Sequence, residues 1–493
     1  MENKDIYSSV ILLDDFYEQK IEFDIVIPDY SPAAEKILCC DVNPCIVSKR
    51  VDNDTLKIEY ECQASVVYTD ENGIIHSVSE NNTDEKILTL NTKAEKCRIK
   101  AGIRPITVNC RLANPRRITV RAVIGIAVKA SGAMPFGNVE NTSSLEAQYC
   151  TVTANSFVTS AVSDTRVNGS VDVGLGATDI ISSRGCVIIE DIKPITDKLI
   201  IKGSADVYVV FATGEEKENL KFKKISIPFS DVINAEGTQE NSIAEVSAEI
   251  FDLHCESGEG NEILADGGVI ISASVYTPAK TEIMTDAYSM HRSVIAKKSK
   301  LMIESLYDRN SFSETVSANV SCDLSDARIV GIYPQSVVKG ISLRDGMLVF
   351  DGEIYLKIYM YNENEYKISD KTMQFSFTRP LIEASGNLRC EADATVNNVT
   401  YSMPDDNTLT VTAMLNVSLN CFCSETYDAV ESIDPAENEQ EKCKGVILYS
   451  ADKGERLWDI AKKLRSSVEI IKRDNDIMSE TVENPSMLLV SFK

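Results

Sequence analysis

The sequence predicts a mainly β fold: three tandem β-sandwich or barrel-like repeat domains followed by a small βααβ domain. Three observations carry this. Three thirteen-residue segments, LKIEYECQASVVY (56–68), LIIKGSADVYVVF (199–211) and LVFDGEIYLKIYM (348–360), lie over one another with apolar residues at mostly alternate positions. Strand-favouring Val, Ile and Thr recur throughout. Apolar positions at helical spacing mark the stretch after Tyr449, where an independent module starts.

Each repeat is built in the same order. A short alternating strand comes first: IEFDIVIPD, VNGSVDVG and ETVSANVS. A strand containing or ending in proline follows, at Pro44, Pro194 and Pro334. The long alternating strand is next, and in the first copy Leu56, Ile58, Tyr60, Cys62, Ala64, Val66 and Tyr68 form one apolar face. A second hairpin closes the unit. In the third copy it turns at PDDN (404–407), where Pro presets φ and Asp and Asn cap the turn. One-sided alternation argues against a parallel α/β sheet, whose strands are buried on both faces. The resulting domains are 1–130, 168–278 and 313–424. Polar spacers are expected at 131–167 and 279–312, which share the similar fragments LEAQYC and MTDAYSM. An acidic linker is expected at 425–444 and the last domain at 445–493.

Composition narrows the function. The chain has 493 residues and a formal net charge of −25, which repels nucleic acid and anionic membrane. Nothing approaches 18 consecutive apolar residues, so no membrane insertion is expected. MENKDIYSSV lacks the basic and apolar regions of a signal peptide, and the fourteen Cys are scattered, with no C-x-x-C pair. A reducing, cytoplasmic setting is therefore expected. No cofactor or metal is expected, and no enzyme activity. The strings H-E-x-x-H, G-x-x-x-x-G-K-[ST] and G-x-S-x-G are missing. His254 and Cys255 are strand neighbours that face opposite ways, so they form no dyad. One basic cluster stands out: Arg98, Lys100, Arg104, Arg111, Arg116, Arg117 and Arg121. Its last four members, Arg111, Arg116, Arg117 and Arg121, are the candidate docking patch for an acidic partner or for another copy's acidic units.

In the last domain, Leu457, Ile460, Ala461 and Leu464 predict a helix over 455–464, and Ser466 with Glu469 reads as a capping box for a second. Strands LYS and MLLV flank the pair. This resembles a LysM module. The matching residues are Tyr449, Gly454, Leu457, Trp458, Ile460, Ala461, Val468, Asn475, Leu488 and Val490. The family's Asp-Thr is Glu455-Arg456 here, its closing Gly is Pro485, and its final Pro is Ser491. The resemblance implies a ligand groove between the loops entering the first helix and the last strand. The implied partner-binding residues are Lys453, Gly454, Glu455, Arg456, Trp458, Asn475, Asn484 and Pro485. Arg456 replaces a small hydroxyl, and Pro485 removes a backbone N–H that a sugar could use, so a protein ligand fits better than a glycan. From Lys444 onward there are nine basic against eight acidic residues, so the negative charge lies on the repeats.

With its three β-repeats, Pro44, Pro194, Pro334 and the Asp286–Ser289 tetrad (Asp-Ala-Tyr-Ser), the whole chain is similar to spore coat morphogenetic proteins. These carry SPOCS-domain repeats and a terminal LysM domain. That resemblance implies a non-catalytic scaffold in the mother cell, at the forespore surface. It implies a partner in the coat's basement-layer ATPase, stage IV sporulation protein A, and contact with other coat proteins. The alternative is a peptidoglycan (N-acetylglucosamine polymer) binding protein of cell wall or cortex.

Overall fold

The computed structural model describes residues 6–93, 96–137, 145–174, 176–214, 220–258, 260–324, 327–362, 365–381, 387–435 and 445–491. The chain is mainly β. The first six strands are β1 (Ile6–Val26), β2 (Lys36–Asp52), β3 (Thr55–Thr69), β4 (Ile75–Thr89), β5 (Lys96–Asn114) and β6 (Arg117–Phe136). They form two antiparallel three-stranded sheets, ordered β1-β6-β5 and β2-β3-β4. The same wiring recurs in β7 (Leu145–Asp172), β8 (Asp179–Ile195), β9 (Lys198–Ala212), β10 (Leu220–Asn234), β11 (Ile243–Ser257) and β12 (Glu262–Ser289), as β7-β12-β11 and β8-β9-β10. It recurs again in β13 (Val294–Ser321), β14 (Arg328–Arg344), β15 (Met347–Asn362), β16 (Glu365–Pro380), β17 (Asn387–Asp405) and β18 (Thr408–Pro435), as β13-β18-β17 and β14-β15-β16.

In each unit the two sheets share one core. The face of β3 from Leu56 to Tyr68 packs with Ile118, Val120, Ala122, Ile124, Ile126 and Val128 of β6. The same pairing joins β9 to β12 and β15 to β18. At one core position the copies exchange an aromatic residue for glycine. Tyr60 is fully buried in the first, while Gly203 and Gly352 stand at its place in the others. There Phe229 and Phe375 lean over the glycine, where a Cβ would strike the ring and the carbonyl of Ile188 or Val337. None of these sheets closes on itself among the described residues, so the barrel form of the expectation does not apply.

Two further expectations are corrected. The spacers at 131–167 and 279–312 are largely strand: β6 runs to Phe136, β7 starts at Leu145, and β12 and β13 meet at a turn after Ser289. The acidic linker is strand through Pro435, and 436–444 lie outside the described residues. These extensions continue the pairings β7–β12 and β13–β18, which satisfies their backbone groups. Beyond the sandwiches they build small cores of their own, such as Tyr276, Leu306 and Phe422, or Ile283, Leu301 and Ala429.

The three units meet through equivalent positions. Asp41, Arg184 and Tyr333 pair with Ser65, Tyr208 and Lys357, and these three occupy matching places in β3, β9 and β15. Arg184 Nη2 lies 2.5 Å from Asp41 Oδ2, and its guanidinium stacks 5.0 Å over the Tyr333 ring. Lys357 Nζ reaches Asp41 at 2.8 Å. A second ring forms from Lys100, Glu245 and Glu391, again at matching places in β5, β11 and β17. Arg98 locks it, with Nη2 2.6 Å from Glu245 and 2.7 Å from Glu391. Arg98 and Arg389 both sit over the Phe422 ring, and Arg389 also pairs with Glu391. Burial pushes the Glu391 carboxyl up, but Arg98, Lys100 and Arg389 outweigh it and hold it down at about 2.

The last element is β19 (Val446–Ala451), α1 (Leu457–Leu464), α2 (Val468–Asn475) and β20 (Ser486–Ser491), with β19 and β20 antiparallel. Helix α1 starts two residues later than its spacing suggested. Arg456 sits extended at its N-cap and spends its guanidinium on Asp459, at 2.8 and 3.0 Å. The cap of α2 is Ser467, not Ser466. Ser467 Oγ accepts from the Glu469 N–H, while Ser466 Oγ donates to the Ser491 carbonyl.

Candidate functional site

The expected partner-binding residues divide into two groups. Lys453, Gly454, Arg456, Asn484 and Pro485 are exposed, and Glu455 is half-buried. The loop entering α1 and the segment before β20 are zipped together. Gly454 N–H donates to Val482 O at 2.8 Å, Val482 N–H to Glu455 O at 2.9 Å, and Leu457 N–H to Glu480 O at 2.9 Å. Gly454 turns here with φ +89°, a conformation that favours glycine. Glu455 Oε2 accepts from the Asp452 N–H, which shapes the same turn. Asn484 and Pro485 lie next to this zipped pair, at the entry to β20.

Asn475 and Trp458 are spent internally. The Asn475 amide donates to Ile471 O and Leu489 O and accepts from Leu489 N–H, fastening α2 to β20. Trp458 is buried, and its indole N–H donates to Asp286 Oδ2 at 2.9 Å. Asp286 lies at the end of β12, in the second unit. Lys462 reaches both of its oxygens, at 2.7 and 2.8 Å, and Lys298 stands 3.4 Å away. Burial raises the Asp286 pKa, and these donors outweigh it, leaving the carboxyl below its ordinary value. Tyr288 completes the grip. Its ring meets Trp458 edge-on at 5.1 Å, and its hydroxyl donates to Ser466 O at 2.7 Å. Arg465 Nη2 donates to Ser293 Oγ at 2.7 Å.

The tetrad Asp286–Ser289 is thus the receptor for the terminal module. Asp286 and Tyr288 hold the module, Ala287 is buried, and Ser289 Oγ accepts from the His291 and Arg292 N–H groups to shape the turn into β13. Sequence reasoning singled out the tetrad but had no signal for this role, because its partner Trp458 is 172 residues away.

With the Trp458 side docked, the opposite face of the β19–β20 ribbon is open. Val446, Leu448, Met487 and Leu489 all project from it and are exposed, with Leu448 directly across from Leu489. Their alternates Tyr449, Leu488 and Val490 fill the module core. This apolar face adjoins the entry of β20 at Pro485.

The basic cluster does not form one open patch. Arg98 is only 3% exposed, and with Lys100 it is bound to the acidic residues of the other two units. Arg117 pairs with Asp24, and Arg121 with Glu22 at 3.0 Å, both across the β1–β6 ladder. Arg116 donates to the carbonyls of Pro28 and Ser31 and staples the turn after β1. Arg111 is exposed on β5. Acidic repeats are therefore the ligand of part of this cluster, within the same chain.

His254 is exposed and Cys255 buried on β11, facing opposite ways. No helix among the described residues is long and apolar enough to cross a membrane.

Residues 177–257, spanning β8 to β11, match the family model described as SipL, SPOCS domain. No curated protein matches the chain. No solved structure matches it either. The family match identifies a segment similar to a SPOCS domain within the second unit and supports a link to sporulation.

Proposed function

We propose that this chain is a non-catalytic scaffold in spore coat assembly, and that its terminal LysM-like module carries the contact with the coat's basement-layer ATPase. The repeats act as the SPOCS-type body that holds the module in place. The observation that carries this reading is the docking at Asp286 and Tyr288. It consumes Trp458 and turns the open apolar ribbon, with Arg456 and Pro485 at its end, outward. Exposed apolar side chains rimmed by polar loops suit a protein partner. A glycan would need hydrogen-bonding groups in the groove. Arg456 is committed to Asp459, and Pro485 has no N–H to offer.

The test is a pull-down of stage IV sporulation protein A by the full chain, with Leu448→Glu and Met487→Glu introduced together. Both side chains are exposed, so the fold should tolerate the change, and circular dichroism checks it. Capture should fall by tenfold or more, on the order of 1.4 kcal/mol. Undiminished capture would sink the proposal. Co-sedimentation of the full chain with insoluble peptidoglycan, lost in the same variant, would favour the cell-wall alternative instead.

A further inference from the structure

We propose that Cys390 and Cys421 form an oxidation site, at which hydrogen peroxide entering the central cavity converts a cross-strand dithiol into a disulfide. The two residues face each other across the β17–β18 ladder, and their sulfurs lie 2.9 Å apart as free thiols. Directly opposed residues in an antiparallel pair have Cα atoms about 4.5–5.5 Å apart, inside the range a disulfide spans. Cross-strand placement thus brings the two sulfurs close enough for a bond to form.

The two thiols are not equivalent. Cys390 is half-buried and lines a cavity of about 970 Å³ that opens where the three units meet. Cys421 does not line it and is 1% exposed, inside the core of the third unit. A small oxidant therefore meets Cys390 first. The hydrogen bond from Cys421 and the nearby Arg389 guanidinium favour the Cys390 thiolate, against the opposing effect of burial. By contrast, burial pushes Cys62 and Cys186 up to about 12, and Cys255 to about 11, whereas Cys110, hydrogen-bonded to Cys40, is lowered to about 7.

The chemistry balances with one peroxide. The Cys390 sulfur attacks a peroxide oxygen, the O–O bond breaks, and the departing hydroxide leaves as water after taking up a proton. Cys390 is then a sulfenic acid. The Cys421 sulfur attacks that sulfur, the S–O bond breaks, and the second hydroxide leaves as water with the Cys421 proton. Two thiols and one hydrogen peroxide give one disulfide and two waters. The strand fastened in this way is β17, which among the described residues pairs with β18 alone and carries Glu391 and Asp393 into the joint with the first unit. Oxidation would thus pin the strand that holds the three units together.

The test treats the full chain with sub-stoichiometric to stoichiometric hydrogen peroxide, blocks remaining thiols with N-ethylmaleimide under denaturing conditions, and maps peptides without reduction. The expected product is a Cys390–Cys421 linked peptide lacking two hydrogen atoms, formed before Cys62, Cys186 or Cys255 lose their alkylation. In Cys421→Ala, dimedone should label Cys390 as the trapped sulfenic acid. If both thiols stay alkylatable while those other cysteines oxidise, the proposal is overturned. The mapping of the unaltered chain decides this even if Cys421→Ala fails to fold.

Discussion

Where the three units meet, rings of buried charge stand beside an apolar cluster drawn from all three; where the terminal module meets the second unit, an indole and a phenol gather around one carboxylate. The first kind of joint needs every partner present. Arg98 answers two carboxylates from two other units, and Asp41 answers Arg184 and Lys357 from the other two. Removing one member leaves charge buried without compensation. The module joint uses one carboxylate, Asp286, with an aromatic contact beside it. The second kind can open without unfolding the module, because most of the cluster there, including Leu457, Ile460, Ile471 and Val490, belongs to the module, with Tyr288 added from the second unit. The units are thus built to stay together, and the module to be held in a chosen orientation.

The largest effect should come from the charged joint. Arg98→Ala strands Glu245 and Glu391, and about 3–5 kcal/mol of stability should be lost. Urea unfolding measures it, and a loss below about 1 kcal/mol would show that Lys100 and Arg389 suffice. Arg98→Lys should fall between, since an ammonium cannot fork to both carboxylates. Acid should attack the same place. Glu391 is held at about 2, below its ordinary value near 4.3, so its contribution is complete above about pH 4.3 and disappears as pH falls toward 2.

The module joint should respond more mildly, by about 1–3 kcal/mol, and locally. Asp286→Ala removes the acceptor of the Trp458 indole and the partner of Lys462. Trp458 is the only Trp of the chain, so its fluorescence reports the joint alone. A red shift at denaturant concentrations that leave the β signal intact is the expected outcome. A single transition shared by both signals would mean that the module and the repeats unfold as one. Because the Asp286 carboxyl sits below its ordinary value, the joint's electrostatic part is present above about pH 3.9 and is lost as pH falls further.

The contrast between the joints also explains what could be read in the sequence. The core faces were legible, because period-two alternation writes each one out: all seven residues from Leu56 to Tyr68 at alternate positions are buried. The module's helices were legible from Leu457, Ile460 and Ala461. The long strand extensions were not. Runs such as TVTANSFVTSAV mix Thr and Ser into both faces, and they read as strand only once β12 lies beside β7. The charged rings were hidden for a different reason. Asp41, Arg184 and Tyr333 stand at one repeat position but are chemically unlike, so comparing copies for similarity passes over them. They are complementary instead, and complementarity appears only when the units are brought together. Likewise, Arg98 and Lys100 read as part of one basic cluster, and only the assembled units show that their acidic ligands are Glu245, Glu391 and Asp393 of the same chain.

The smallest effect concerns a second link between the first two units. His76 lies 3.6 Å from Asp70 of its own unit and 3.6 Å from Asp179 of the next. The hydrogen bond to Asp179 and the charge of both carboxylates raise its pKa against the opposing effect of burial. Protonated His76 therefore favours the folded state. Its contribution is complete below the ordinary value near 6.5 and is lost as pH rises through the raised one. His76→Gln should destabilise the chain by up to about 1 kcal/mol at pH 6 and by much less at pH 8. Equal losses at the two pH values would assign His76 a packing role against Tyr68, whose ring is 5.7 Å away, and would leave the two charged rings as the electrostatic joints between these units.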